Sequence, residues 1–296
     1  MRSAEEGFLL LTSHLGDLQC KPLTVAGFRT LLSRVRSAAR VEEDRHLELQ
    51  DLLNLGYDRQ SGENILFLLS RKEQMEYYVN RGASQGCVPL TRASEEYPGS
   101  LRVRLGTDCP GCLWTKGDIS LLEKPAVSLV GSRDLGKQNF AFAKEVGRQA
   151  ALQGYVLVSG NARGADRAAQ DSCLEYGGQV VSIVPDSLLD IPSHKEVLYL
   201  SEDGYDMGFS STRALSRNRL IHAMGKVTFV AQCSNGKGGT WNGCVQNLRN
   251  RYSPVFCFQD GSPATQKLLD MGAVAADIFD LSDFSKLASR EISFFD

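Results

Sequence analysis

Three glycine-bearing turns carry the residues able to hold an anion. The first, Gly131-Ser132-Arg133, ends the apolar run Val127-Ser-Leu-Val130. The second, Ser159-Gly160-Asn161-Ala162-Arg163-Gly164-Ala165-Asp166, ends the run Tyr155-Val-Leu-Val158. The third, Asn235-Gly236-Lys237-Gly238-Gly239-Thr240-Trp241, follows an apolar stretch at 226–231. Each reads as a buried strand that stops at glycine and turns into a helix, which is how an α/β sheet offers backbone N–H groups and a cation to phosphate oxygens. Gly160 and Gly164 let backbone approach a ligand closely. Arg163 offers a planar fork for bidentate phosphate contact, Lys237 a point charge, and Thr240 a helix cap. Asp166 complements the helix dipole and holds Arg163 or the N–H groups of the turn, a structural role ahead of a catalytic one. A fourth basic segment has Arg213, Arg217 and Arg219 within seven residues, around Asn218 and without an acid. Residues two apart do not share a helix face, so one of Arg217 and Arg219 reaches the sheet edge while the other pairs internally.

Other chemistries fit less well. Gly131-Ser-Arg-Asp-Leu-Gly136-Lys137-Gln138 approaches the phosphate-binding loop of NTPases, but Gln138 stands where a hydroxyl would hold Mg²⁺. A phosphate cradle without hydrolysis is the better reading. GxGxxG is absent, so a dinucleotide cofactor is not expected. Cys109-Pro-Gly-Cys112 is the one cysteine pair with metal or redox spacing, and no second pair completes a zinc site. The eight cysteines read as small core residues. The four histidines, His14, His46, His194 and His222, lie in unrelated segments, so neither a triad nor a metal site can be built from them. Trp241 is a core residue or, in the rival reading, a base-stacking one.

The elements around these turns explain why they would meet. From residue 125 onward, strands are expected at 126–130, 155–159, 179–184, 226–231 and 254–258, and helices at 137–152, 164–177, 215–224, 240–250 and 263–271. Apolar strands alternating with helices mean a doubly wound, mostly parallel sheet covered on both faces. Residues 1–86 show short helical periodicities instead, with a threonine-capped helix from Thr24, and form a small helical domain. Its basic residues Arg29, Arg34, Arg36 and Arg40 read as a solvated face, with a weak nucleic-acid contact as the rival. Residues 87–124, rich in Pro, Gly and Cys, read as a connector packed on the sheet domain of residues 125–296. The chain is 42 % hydrophobic and 23 % charged with a formal net charge of −2, so a polyanion site has to be local rather than a bulk property. With no apolar run long enough to cross a bilayer and no signal-peptide core after Met1, a cytoplasmic location is expected.

Taken in order and spacing, Val130-Gly-Ser-Arg133, Ser159-Gly-x-Ala-Arg-Gly-x-Asp166 and Arg217-Asn-Arg-Leu-Ile221 resemble the DNA-processing protein A (DprA, or Smf) family. The lead-in residues Pro89-Leu-Thr, Glu96-Tyr-Pro98, Leu101 and Leu113-Trp-Thr-Lys-Gly117 are similar to those that precede its Rossmann-like domain. The resemblance covers about residues 87–280 and departs at Gly238-Gly-Thr-Trp-Asn-Gly243 and at 201–210. The chain ends soon after the sheet, so no C-terminal winged helix is expected. What the resemblance implies is an extended Rossmann-like fold and a dimeric, non-enzymatic protein. Such a protein protects single-stranded DNA in natural transformation or recombination and helps load a recombinase. It also implies that Gly131, Ser132, Arg133, Ser159, Gly160, Arg163, Gly164, Arg217, Asn218 and Arg219 line a phosphate-binding pocket. Asp166, Lys237, Gly239 and Thr240 join that pocket from the residue reading. The Gly-Gly-Thr turn is also similar to wider relatives that bind or process nucleotides. The alternatives are therefore a mononucleotide sensor, or a nucleoside-phosphate hydrolase with Asp166 or Glu175 as its acid.

Overall fold

A computed structural model describes residues 1–38 and 46–289; Arg40 lies outside them. Among the described residues five helices come first: α1 (Ser3–Thr12), α2 (Val25–Ser37), α3 (Leu49–Asn54), α4 (Arg59–Ser70) and α5 (Lys72–Ser84). Thr24 caps α2 by accepting from the Gly27 amide, and Leu11, Phe28, Leu31, Leu52, Ile65 and Leu68 give these helices their own apolar core.

Among the described residues, the rest of the chain builds one nine-stranded sheet. Its elements are β1 (Cys87–Thr91), α6 (Gly99–Leu105), β2 (Cys112–Lys116), β3 (Ala126–Val130), α7 (Lys137–Leu152), β4 (Val156–Ser159), α8 (Ala165–Glu175), β5 (Gln179–Ile183) and β6 (Val197–Ser201). There follow α9 (Ser211–Ser216), α10 (Asn218–Met224), β7 (Thr228–Val230), α11 (Gly239–Asn250), β8 (Val255–Phe258), α12 (Pro263–Asp270), β9 (Val274–Ala276) and α13 (Phe284–Ser289). The strand order is β1-β2-β6-β5-β4-β3-β7-β8-β9. All pairs from β6 to β9 are parallel, while β1–β2 and β2–β6 are antiparallel. The expected doubly wound, mostly parallel sheet is present.

Both faces are buried, as near-continuous apolar strands require. Val156 and Val158 point into one core with α6, α10 and α11. Leu157 and Phe229 point into the other with α7, α8 and α13. The chain runs outward from β3 through β4, β5 and β6, then returns to the other side of β3 as β7. That reversal opens a crevice outside the carboxyl ends of β3 and its neighbours, where ligands of open α/β sheets bind.

Four strands were not expected. Residues 87–124, read as a connector, supply β1 and β2, with Pro89 tolerated because β1 is an edge strand. The short runs at β6 and β9 have no helical pattern directly after them to mark a crossover. The helix expected at 215–224 is two helices broken at Arg217.

Gly147 shows how closely the layers pack. A Cβ there would stand 2.0 Å from the Ala169 carbonyl oxygen on α8. Gly147→Ala is therefore expected to separate α7 from α8 and to cost about 1–3 kcal/mol, read as a lowered urea midpoint. An unchanged midpoint would contradict this packing.

Candidate nucleic-acid interface

The crevice is shaped by turns from three strands and by α9 and α10. A hollow of about 470 Å³ is lined by Gly131, Ser132 and Arg133 after β3, by Lys237, Gly239 and Thr240 at the start of α11, and by Asp166, Arg217 and Asn218. A smaller hollow of about 170 Å³ adjoins it and holds Gly160, Asn161, Arg163 and Asp186, again with Arg133 and Arg217. Residues from all four predicted segments thus meet at one edge.

At the floor lies a buried pair of opposite charges. Arg217 is 8 % exposed, and its Nη1 donates to the Ile183 carbonyl at 2.8 Å. Asp166 is 6 % exposed, and its Oδ2 accepts from the Gly160 and Ala162 amides, each at 3.2 Å. Burial pushes the Asp166 carboxyl up and the Arg217 guanidinium down, and each charge opposes the shift of the other. Glycine is required where they meet: a Cβ on Gly160 would lie 1.5 Å from Arg217 Nη1. Gly164 has φ +84°, and a Cβ there would strike the Ser132 and Arg133 carbonyls.

Several expected phosphate donors are already engaged. The Ser132 amide donates to the Gln232 carbonyl at 2.9 Å. The Gly160 amide is held by Asp166. The Ser159 hydroxyl, fully buried, accepts from Gln170 Nε2. Asp166 holds the turn's N–H groups rather than Arg163, which instead pairs loosely with exposed Asp134 at 3.6 Å. Thr240 does not cap α11; its hydroxyl donates to the Gly131 carbonyl at 3.0 Å and ties two turns together. Asn218 Nδ2 donates to the Gly239 carbonyl at 3.1 Å. Arg219 leaves the crevice: it pairs with Glu202 and borders a different hollow beside the N-terminal helices. Glu175 ends α8, the helix whose other end faces the site. The cationic side chains left for a ligand are Arg133, Lys237 and Arg163. Arg133 and Lys237 are exposed.

Sequence reasoning passed over Phe209, noted Arg213 only as one of a basic cluster, and found no role for His222. Phe209 lines both hollows, although nothing in its segment marks it. Arg213 organises the loop that carries Phe209. His222 sits under the larger hollow, 1 % exposed, with Nδ1 facing Asn247 Nδ2 at 3.0 Å. Trp241 packs partly buried against the sheet core. Cys109 and Cys112 are free, buried thiols, and burial raises both. Among the described residues no helix is long and apolar enough to cross a membrane.

Burial lowers the His222 pKa to about 3. The unfolded chain takes up a proton near pH 6.5, and the folded protein does not until about pH 3. Stability from this residue is therefore full above pH 6.5 and falls with acid, by about 2 kcal/mol at pH 5. His222→Gln is expected to lose about 2 kcal/mol less than the wild type between pH 7 and pH 5 in urea titrations. Parallel losses would contradict a buried neutral ring.

With the geometry in place, comparison with known proteins gives a consistent answer. The family model described as DNA recombination-mediator protein A matches residues 89–285. The DNA processing protein DprA of Streptococcus pneumoniae is 32% identical over 145 residues, 44% of this chain and 50% of that relative. The chain thus matches half the length of that relative. The X-ray structure of DNA processing protein A from Streptococcus pneumoniae shares the fold, with a TM-score of 0.67 at 23% identity, covering 95% of this chain and 97% of that one. DNA processing protein A from Helicobacter pylori, whose structure concerns a unique single-stranded DNA binding mode, gives 0.56 at 25% identity over 68% and 94% of the two chains.

Proposed function

The chain belongs to the DNA recombination-mediator protein A family, and from that premise we propose that it binds single-stranded DNA in the crevice at the carboxyl edge of its sheet. The observation that carries this reading is the convergence of Arg133, Arg163 and Lys237, from three separate turns, on two adjoining hollows. Among the described residues no partner engages the Arg133 or Lys237 side chain in a hydrogen bond or ion pair, and the Arg163–Asp134 pair is exposed on both sides. Exposed pairs of this kind contribute little and exchange readily. The structure described for the Helicobacter pylori relative supports the ligand class.

Binding here is electrostatic and tolerant of sequence, because phosphates are shared by every nucleotide. Of the two carboxylates that border the larger hollow, Asp166 is occupied by backbone amides and Asp134 is exposed beside Arg163. Neither is set against a nucleophile, which favours binding over hydrolysis. The site residues in this reading are Gly131, Ser132, Arg133, Gly160, Arg163, Lys237, Gly239 and Thr240, with Gly164, Asp166, Arg217, Asn218 and Ser159 shaping them. We place the site in residues 125–296 and the helical unit in 1–86. Family membership extends the reading to a cytoplasmic homodimer that protects strands in DNA uptake or recombination and passes them to a recombinase.

The larger hollow is also of a size that holds one nucleotide, so a mononucleotide sensor is the second reading. Salt-titrated binding of an oligothymidine, a duplex and mononucleotides separates the two. Arg163→Ala and Lys237→Ala are each expected to weaken oligothymidine binding and flatten the log K against log salt slope by about 0.7. Unchanged affinity and slope in both variants would remove the crevice from the account. Tight mononucleotide binding without oligonucleotide binding would favour the sensor.

A further inference from the structure

The loop between β6 and α9 is unusually well held for a surface segment. Arg213, its side chain 11 % exposed, donates to Asp203 Oδ2 at 2.7 Å, to the carbonyls of Pro185, Met207 and Gly208 at 2.6 Å each, and to the Ser201 hydroxyl at 2.8 Å. From behind, α5 of the helical unit grips the same loop. Tyr78 donates to Asp206 Oδ1 at 2.5 Å, stacks on Tyr205 with ring centroids 4.4 Å apart, and accepts the Tyr205 hydroxyl on its carbonyl at 3.1 Å. Residues 203–208 are thereby fixed from two sides.

The next residue is Phe209, and it is 56 % exposed. A segment this constrained presents its ring to water by design of the loop, not by looseness. Leaving an aromatic ring in water is unfavourable. Phe209 lines both hollows, as do Arg133 and Ala214. A flat apolar face lining the same hollows as the cations proposed above to meet phosphates matches one ligand chemistry, the nucleobase of a strand whose backbone runs past it.

We propose that Phe209 is a base-stacking platform, placed by Arg213 and by Tyr78 of the helical unit, that separates two successive nucleotide positions in the crevice. This rests on the single-stranded DNA reading above and adds how bases, not only phosphates, are engaged. It also gives the helical unit a positioning role: Tyr78 acts on the site through Asp206 and Tyr205.

The test uses the full chain and two strands of equal length at fixed salt, an oligothymidine and its abasic counterpart. Phe209→Ala is expected to weaken oligothymidine binding by about 5- to 100-fold, to change abasic binding by less than about twofold, and to leave the salt slope unaltered. Phe209→Trp is expected to restore binding, and its added fluorescence to be quenched by oligothymidine but not by the abasic strand. Equal losses on both strands, or no loss on either, overturn the stacking role while leaving the phosphate site standing. If the wild type binds neither strand, the single-stranded DNA reading fails first and this inference with it.

Discussion

Everything at the carboxyl edge depends on one buried electrostatic contact region, where Arg217 lies against Gly160 beside the carboxylate of Asp166. Two opposite charges removed from water each carry a large desolvation cost, which is offset only when hydrogen bonds complete the arrangement. The Ile183 carbonyl, the Gly160 amide and the Ala162 amide provide part of those bonds, while Arg217 Nε is buried without a partner among the described residues. The result joins the ends of β4 and β5, the start of α8 and the junction of α9 with α10. It also dictates residue types around it. A side chain at position 160 would have to displace the Arg217 guanidinium, and position 164 takes a backbone conformation that favours glycine. Removing either charge would leave the other to Asp186 or Arg133 alone for compensation in the interior, so the pair shapes the crevice before it does anything else.

This arrangement divides the polar groups of the site into two sets. Backbone amides that an anion would otherwise meet are turned inward, to Asp166 and Gln232. The outward set consists of long cationic side chains on the glycine turns. Guanidinium and ammonium groups on flexible stems follow a polyanion rather than fix one phosphate, which suits a strand without sequence preference. Thr240 and Asn218 contribute by bridging turns, so the three cations keep their spacing. The helical unit reaches this edge through α5, whose Tyr78 packs with Trp114 and Tyr205 in a shared aromatic cluster.

Much of the architecture was legible in the sequence because burial on both faces leaves a simple pattern. Val127–Val130, Val156–Ser159 and Val255–Phe258 are apolar but for Ser128 and Ser159, and each runs into or out of a helix with the right period. Segments lacking that context were not legible. Pro89 disguises β1, whose edge position has no sequence signature, and β9 is three residues long. At the site, the glycine and arginine spacing located the turns, but spacing cannot say where a side chain points. Arg217 and Arg219 look alike in sequence, yet one is buried beneath the crevice and the other pairs with Glu202 outside it. The amides of Ser132 and Gly160 read as free donors because their partners, Gln232 and Asp166, are set by tertiary packing. Phe209 sits in an aperiodic loop, and the part that Arg213 of α9 plays in holding that loop comes only from contacts made across the fold. Trp241, the aromatic that the sequence brings forward, belongs mostly to the core.

In the proposed function a single strand lies along this edge of the sheet. Photocrosslinking of the intact protein to an oligothymidine carrying photoreactive thymines, followed by peptide mapping, tests it directly. Adducts are expected in the segments 131–138, 160–167, 209–218 and 234–241, and an excess of unmodified strand should suppress them together. Suppressible adducts confined to the helical unit or to the amino edge of the sheet, with none in those four segments, would contradict the account.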